Sequence, residues 1–260
     1  MVTLGLVTHF YNEEILLPHW IKLHREIVDD CILIDYASTD NSREIIKSLA
    51  PSYWRVVDSR NEVFDPWKVD DEVEEWELEL RTDWKFCLNS TEMLWCKDLK
   101  QIMEDNRGKD AIGFKSYMMV DSNLNLSLDE PLWKNRTNGY LDDGSAVNSR
   151  RGRFMHSHDH GHYNLGRHGT PFPDIVTDDN WNLIFASFSP WPQAVGRKMQ
   201  IQTKADPTQL AQGFGLQHRQ TLETLDAFYK QELSKSNDLL LDKNFKINYD
   251  HYISLIEGRN

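Results

Sequence analysis

Cysteine is scarce in this chain. Cys31, Cys87 and Cys96 are the only three in 260 residues, too few and too scattered for a disulfide framework. They read as free thiols of a reducing compartment, which makes a cytoplasmic location the expectation. Long apolar runs are missing too. No stretch of 18 apolar residues exists, so no spanning helix is expected. No basic segment precedes the first apolar run, which therefore reads as a strand and not as a signal peptide. Positive charge is short, with 29 Lys plus Arg against 41 Asp plus Glu and a formal net charge of -12. That excludes non-specific nucleic-acid binding, which needs a positive field against phosphate. An anionic ligand would need local help from Arg, Lys, helix N-termini or a metal. No GxGxxG follows the first apolar run, which argues against a dinucleotide-binding oxidoreductase. Repeats and low-complexity linkers are absent, and the length suits one substantial core.

What is present is an alternation. Val2 to Val7 is an apolar run, followed by a polar turn through Thr8, His9, Tyr11, Asn12, Glu13 and Glu14. Ile15, Leu16, Trp20, Leu23 and Ile27 then recur at helical spacing. Cys31 to Ile34 is a second apolar run ending in Asp35, and Ser38-Thr39-Asp40-Asn41 starts a helix over 43–49. Strand, helix, strand, helix at this spacing predicts an α/β fold with a mostly parallel central sheet flanked by helices. Ligands of such sheets bind beyond the carboxyl ends of the strands, which here carry Thr8 to Glu14 and Asp35 to Asp40.

Further along, 54–57 and 83–88 read as strands, 58–71 as a loop and 72–80 as a helix. The acidic run Asp70-Asp71-Glu72 reads as its solvated start. A helix is expected at 97–105, strands at 111–114 and 117–120, and loops over 121–150. Trp133, Arg136 and Tyr140 in those loops are either sugar contacts or ordinary packing. Trp181 to Phe188 is the last strand expected. Helices at 221–234 and 248–257 carry one apolar stripe each, to pack on the body or on a partner subunit.

Phe10-Tyr11-Asn12-Glu13-Glu14, Asp35 and Ser38-Thr39-Asp40 together resemble the N-terminal signature of glycosyltransferase family 2, the inverting nucleotide-sugar transferases of the GT-A fold. Pro18, Trp20 and His24 resemble the branch of that family with NEE…LPxW…H in its first helix. The strong likeness covers residues 1–50 and weaker echoes run to about residue 220. The resemblance implies one GT-A-like domain over 1–220, with a nucleotide-binding half over about 1–95 and an acceptor half over about 96–220. A C-terminal helical extension would fill 221–260. It implies transfer of a sugar from a nucleotide-sugar donor to a hydroxyl of a glycan or small-molecule acceptor. Thr8, Phe10, Asn12 and Glu14 would line the donor nucleotide, and Asp35 would accept from its base or ribose. Asp40 belongs to the same set, although an N-cap role is its first reading.

One departure matters. Where the resembled family ends a strand in Asp-x-Asp, often followed by Glu, this chain has Asn89-Ser90-Thr91-Glu92. The acids there hold Mn2+ or Mg2+ on the donor diphosphate, a hard ion that wants charged oxygen ligands. Three expectations follow: a cation held by Thr91, Glu92 and His168, an enzyme that works without metal, or a catalytically silent nucleotide- or sugar-binding relative. Arg167, Arg197 and Lys198 are the candidates for diphosphate contact. The catalytic base stays open among Glu92, Asp143, Asp142 and Asp159. His156, His158, His160 and His162 would share one face of a strand, as zinc ligands or as hydrogen-bond partners in a polar segment. An Asp…Gly-x-Gly…His echo over 206–218 makes His218 a second-choice ligand.

Overall fold

The computed structural model describes residues 1–128, 131–142, 144–148, 151–212 and 220–257, the side chain of residue 210 excepted. Four parallel strands form its N-terminal core in the order β4-β1-β2-β3. These are β1 (Leu4–Phe10), β2 (Asp30–Asp35), β3 (Arg55–Asp58) and β4 (Trp84–Asn89). The first two read as nearly continuous apolar runs because both faces of the sheet are covered. Side chains alternate between those faces. Leu4, Leu6 and Phe10 of β1 meet Leu17, Trp20 and Ile21 of α1 (Leu17–His24) and Ile46 of α2 (Ser42–Leu49). Val7 of β1, with Ile32 and Ile34 of β2, meets Val69 and Val73 of α3 (Pro66–Glu77) on the opposite face.

Helix α3 starts six residues before the predicted position. Asp65 caps it, accepting from the N–H groups of Trp67 (3.0 Å) and Lys68 (3.4 Å), and Pro66 supplies a preset φ at the first turn. The acidic run therefore lies inside the helix, and the solvated start is corrected. Val69, Asp70, Val73 and Glu77 are buried at helical spacing, and so is Glu72. Glu72 accepts from Ser59 Oγ (2.7 Å), Arg60 N (2.8 Å) and Asn61 Nδ2 (2.9 Å).

Beyond β4 the sheet is mixed. β5 (Glu92–Trp95) pairs antiparallel with the long β9 (Ile175–Phe188), and α4 (Leu99–Asp105) follows β5. β6 (Ala111–Val120) is one strand where two were expected. β7 (Asn138–Leu141) arises within the predicted loops and pairs with β6. β8 (Arg153–His156) inserts antiparallel between β4 and β6. It ends at His156, and Ser157 N–H donates to Asp110 O (3.1 Å) at its end. The four alternate histidines thus do not share a strand face.

The chain continues through α5 (Gln193–Gln202), α6 (Pro207–Ala211) and α7 (Leu222–Lys235), then β10 (Asn237–Asp238) and α8 (Lys243–Ile256). The last helices pack on the body. Leu225 and Tyr229 of α7 lie with Met118, Val120 and Trp191, and Phe245 and Tyr252 of α8 lie against Trp95. Cys31 and Cys87 are buried free thiols and Cys96 is half-buried. Among the described residues no helix is long and apolar enough to cross a membrane.

Candidate functional site

The strand order places the topological switch point between β1 and β4. From β1 the chain runs outward to β2 and β3, and β4 returns to the other side. The crevice beyond the carboxyl ends of these two strands is where open α/β sheets bind ligands. Asn12 to Leu16 lie at one lip and Asn89 to Glu92 at the other.

The β1 turn is built by polar side chains. Asn12 sits at φ 52°, a left-handed conformation that Asn tolerates better than most residues. Its Oδ1 accepts from Thr39 N (2.7 Å) and Asp40 N (3.3 Å), and its own N–H donates to Ser38 Oγ (3.0 Å). Glu13 N–H donates to Ser42 Oγ (2.9 Å), and Glu14 N–H donates to Asp40 Oδ2 (3.0 Å). The Glu14 carboxylate accepts from Asn41 N (3.1 Å) and Nδ2 (2.8 Å). The β1 and β2 turns are thereby stitched together.

Of the expected donor set, Asn12, Glu14 and Asp40 come together in this seam. Asp40 stands one residue ahead of the α2 cap position, Asn41, and accepts from Ser42 N (3.0 Å). Asp35 is buried, accepts from Ser38 N (2.9 Å) and is ion-paired with Arg43, which also reaches Asp58. Phe10 belongs to the core and Thr8 is fully buried, its Oγ1 without a hydrogen-bond partner among the described residues.

A pocket of ≈ 330 Å³ opens at this lip, with Asn12, Glu13, Glu14 and Asp40 on one wall and Pro190, Gln193 and Arg197 on the other. Arg197 Nη2 donates to Ala186 O (3.0 Å) and Nη1 lies 3.6 Å from the Glu13 carboxylate. Burial pushes the Glu13 carboxyl above its ordinary range, against the pull of Arg197 and a hydrogen bond from Ser90. Lys198 stands behind the wall, its Nζ donating to Ser187 Oγ (2.9 Å) and lying 5.0 Å from the centre of the Phe188 ring. Burial, with Arg197 and Arg151 nearby, lowers it to about 7.

The lip at β4 is a network of charges. Arg153 Nη2 and Nε donate to the two oxygens of Glu92 at 2.7 and 2.9 Å, and Asn89 N–H adds a third bond to Glu92 at 2.8 Å. Arg167 pairs with Asp70 through Nη1 and donates from Nη2 to Asn89 Oδ1 at 2.8 Å. His168 Nδ1 lies 2.8 Å from Arg153 Nη1 and 3.1 Å from Gly152 O; because a guanidinium only donates, Nδ1 accepts from Arg153. Burial, then Arg153, lowers the His168 pKa to about 4. For Glu92, burial pushes upward, but the charge and hydrogen bonds of Arg153 with the Asn89 N–H outweigh it and leave the carboxyl below its ordinary value.

These residues do not fit a divalent cation. Both Glu92 oxygens and the Asn89 side-chain oxygen face guanidinium or amide donors, and Thr91 offers its backbone oxygen to Ala186 N (2.8 Å). A dication entering here would sit against two fixed positive charges and take from Arg153 the carboxylate it is paired with. Among the described residues no group of three or more His, Cys, Asp and Glu side chains could hold a metal.

The histidine stretch takes its hydrogen-bonding reading. His156 Nε2 lies 3.3 Å from Glu77, His158 Nε2 lies 2.9 Å from Asp110 and His160 Nδ1 lies 3.1 Å from Glu74. Trp133 donates to Met93 Sδ (3.0 Å), Arg136 is buried against Asp121 and Tyr140 bonds Glu232; none of the three lines the pocket beside Glu13. Asp159 is exposed, with its carbonyl bonded by Lys85 Nζ (2.5 Å), and Asp142 N–H donates to Ser116 O (2.9 Å). Neither lines the pocket. Asp143 and His218 lie outside the described residues.

Arg153 and Ser90 escaped the sequence reading as site residues, Asp70 was read as a solvated helix start, and Glu13 stood in the signature without a role of its own. Asp70 was detectable, since it shares helical spacing with Val69, Val73 and Glu77. Arg153, in a polar Arg-Arg-Gly-Arg segment, carries no such signal.

No family model matches the chain, and no curated protein matches it. Solved structures do match in part. The glucosyl-3-phosphoglycerate synthase of Mycobacterium tuberculosis, in complex with Mn2+, UDP and glucosyl-3-phosphoglycerate, shares 18% identity at a TM-score of 0.34, over 45% of this chain and 44% of its own. S. aureus TarS 1–349 shares 10% identity at a TM-score of 0.41, over 78% of this chain and 65% of its own. Its complex with UDP shares 12% identity at 0.36, over 60% and 46%. This chain thus spans less than half the length of the synthase and less than two thirds of TarS. Likeness at this level concerns the arrangement of elements and carries nothing to ligand or chemistry.

Proposed function

We propose that this chain binds a nucleotide-activated sugar across the carboxyl ends of β1, β2 and β4 and transfers the sugar to a hydroxyl acceptor with inversion. The observation that carries the reading is the pocket between the β1 and β2 turns and α5, walled by Asn12, Glu13, Glu14 and Asp40 of the sequence signature and faced by Arg197. Base and ribose sit over the seam between the β1 and β2 turns. Arg197 meets the diphosphate, since its guanidinium pairs with phosphate oxygens in a fixed geometry. In the transfer the acceptor oxygen bonds to the anomeric carbon. The bond from that carbon to the diphosphate oxygen breaks, its electron pair leaving on the diphosphate. The acceptor proton passes to a carboxylate. Glu13 is the acid placed for this, because it lines the pocket and burial raises its affinity for a proton.

Calorimetry with UDP-, GDP- and dTDP-sugars, followed by detection of transfer or hydrolysis, tests the reading. Glu13→Gln is expected to keep donor binding and lose transfer. Absence of binding to every donor overturns it. The engagement of Asp35 by Arg43 and of Glu92 by Arg153 favours a second reading, a silent relative. Binding without turnover marks that case.

A further inference from the structure

The end of β9 gathers positive charge that no acid answers. Ile184 and Ala186 turn to the main core, while Phe185 and Phe188 face the other way, with Met118 and Trp191. On that second face Lys198 Nζ donates to Ser187 Oγ (2.9 Å) and lies 5.0 Å from the centre of the Phe188 ring. The Arg151 guanidinium lies 5.7 Å from the centre of the Phe185 ring, with Nη1 3.5 Å from Met118 Sδ. Among the described residues neither cation has a carboxylate within ion-pair distance. Glu232, the acid on the Arg151 side, is held by Lys235 Nζ (2.7 Å) and by Tyr140, and Glu13 faces Arg197 on the pocket side.

Hydrogen-bond donors are left over here. Lys198 spends one of its three N–H groups on Ser187, whose own O–H finds no acceptor among the described residues. The Arg151 side chain gives one N–H to sulfur, a weak acceptor, and none to oxygen. Both cations are half-buried, so the cluster keeps a side open to water. Burial, then the charges of Arg197 and Arg151, lowers the Lys198 amine to about 7. Like charges are crowded in this place without a counter-charge.

We propose that Lys198, Ser187 and Arg151 form a binding site for a phosphate group, separate from the donor pocket. None of the three lines that pocket, so the proposal does not rest on the donor reading. A phosphate ester carries a charge of about -1.5 to -2 and three acceptor oxygens. That matches an ammonium, a guanidinium and a hydroxyl, whereas a carboxylate would bring one charge to two cations. Bound phosphate restores full charge to Lys198, because a neighbouring anion favours the protonated amine. Arg197, next to Lys198 on α5, stays with Glu13 and the pocket.

The intact protein is the test material, and sulfate, a tetrahedral dianion that does not titrate near neutrality, is the first probe. Calorimetry at about pH 8 and constant ionic strength is expected to show saturable binding below roughly 1 mM. Repeated in buffers of different ionisation heat, it is expected to show uptake of roughly one proton per sulfate. An amine with a pKa of about 7 is mostly neutral at about pH 8, and the arriving anion charges it. Lys198→Met and Arg151→Gln are each expected to weaken sulfate binding roughly tenfold. Absence of saturable binding, or an affinity unchanged in both variants, overturns the proposal.

Should Lys198→Met not fold, Lys198→Arg carries the test. It is expected to keep sulfate binding and lose the proton uptake, since a guanidinium is already charged at that pH. Proton uptake that persists in it overturns the role of Lys198. Inorganic phosphate and phenyl phosphate identify the source. A bound ester assigns the site to a phosphorylated ligand, and free phosphate bound with the ester excluded assigns it to the ion. Binding of neither overturns the proposal. UDP, GDP and dTDP are expected to leave bound sulfate in place. Displacement of sulfate overturns the separation from the donor pocket, whereas failure of every nucleotide to bind overturns the donor reading alone.

Discussion

Arg153 grips Glu92 through two side-by-side hydrogen bonds, Nη2 to Oε1 at 2.7 Å and Nε to Oε2 at 2.9 Å, with both side chains 3% exposed. This is the bidentate geometry in which a charge-assisted pair is strongest. Its removal is asymmetric, because taking away one partner strands the other charge in the interior. Glu92→Ala is expected to lower unfolding stability by about 3–5 kcal/mol in denaturant titrations. The exposed Arg25–Glu26 pair has a similar separation, 3.0 Å, yet Glu26→Ala is expected to change stability by less than about 1 kcal/mol, because water screens it.

Acid sensitivity should come early, through His24. The ring is fully buried, Nδ1 lies 2.8 Å from Trp20 O, and Nε2 accepts from Leu94 N–H at 3.1 Å. The ring is therefore neutral, with its proton on Nδ1. Burial lowers its pKa to about 3, against the backbone bond to Trp20. The unfolded chain takes up a proton near pH 6.5 and the folded chain does not. Stability from this group is thus complete above about pH 6.5 and declines as pH falls toward 3, by about 2 kcal/mol at pH 5. Chemical denaturation at pH 7 and pH 5 should show the loss, and His24→Gln should flatten that part of the slope.

The early start of α3 depends on one carboxylate. Asp65→Ala removes the acceptor for Trp67 and Lys68 N–H and should cost about 1 kcal/mol of stability. Amide exchange should show faster opening at Trp67 and Lys68, with the β1–β2 amides unchanged.

Donor affinity should depend on the pocket wall. Arg197→Ala takes away the guanidinium that faces the pocket across from Glu13. A charge-assisted hydrogen bond contributes about 1.5–3 kcal/mol, so nucleoside diphosphate binding should weaken roughly 10- to 100-fold in calorimetry. Lys198→Ala should have the smaller effect, because Lys198 lies behind the wall and donates to Ser187.

The α/β architecture could be read from the chain because it rests on local periodicity. The apolar runs around Val7 and Ile32 and the helical spacing of Leu16, Trp20 and Leu23 each repeat over a few residues, and the structure keeps them in the expected places. The seam of Asn12, Glu14 and Asp40 was legible for the same reason, as short polar turns closing apolar strands. Boundaries were harder. The predicted loop over 58–71 contained the start of α3, set by a single cap at Asp65.

The state of the site was decided by contacts between residues far apart in the chain. Glu92 meets Arg153 and Asp70 meets Arg167 across 61 and 97 positions, separations at which no local pattern gives a signal. Sequence alone established that neutral residues stand where a cation's acids are expected. Only the tertiary structure put two arginines against that place, because β8 inserts beside β4 and brings Arg153 with it, while the segment after it lays Arg167 on α3. Chain pattern sets which elements form; sheet pairing sets which charges meet.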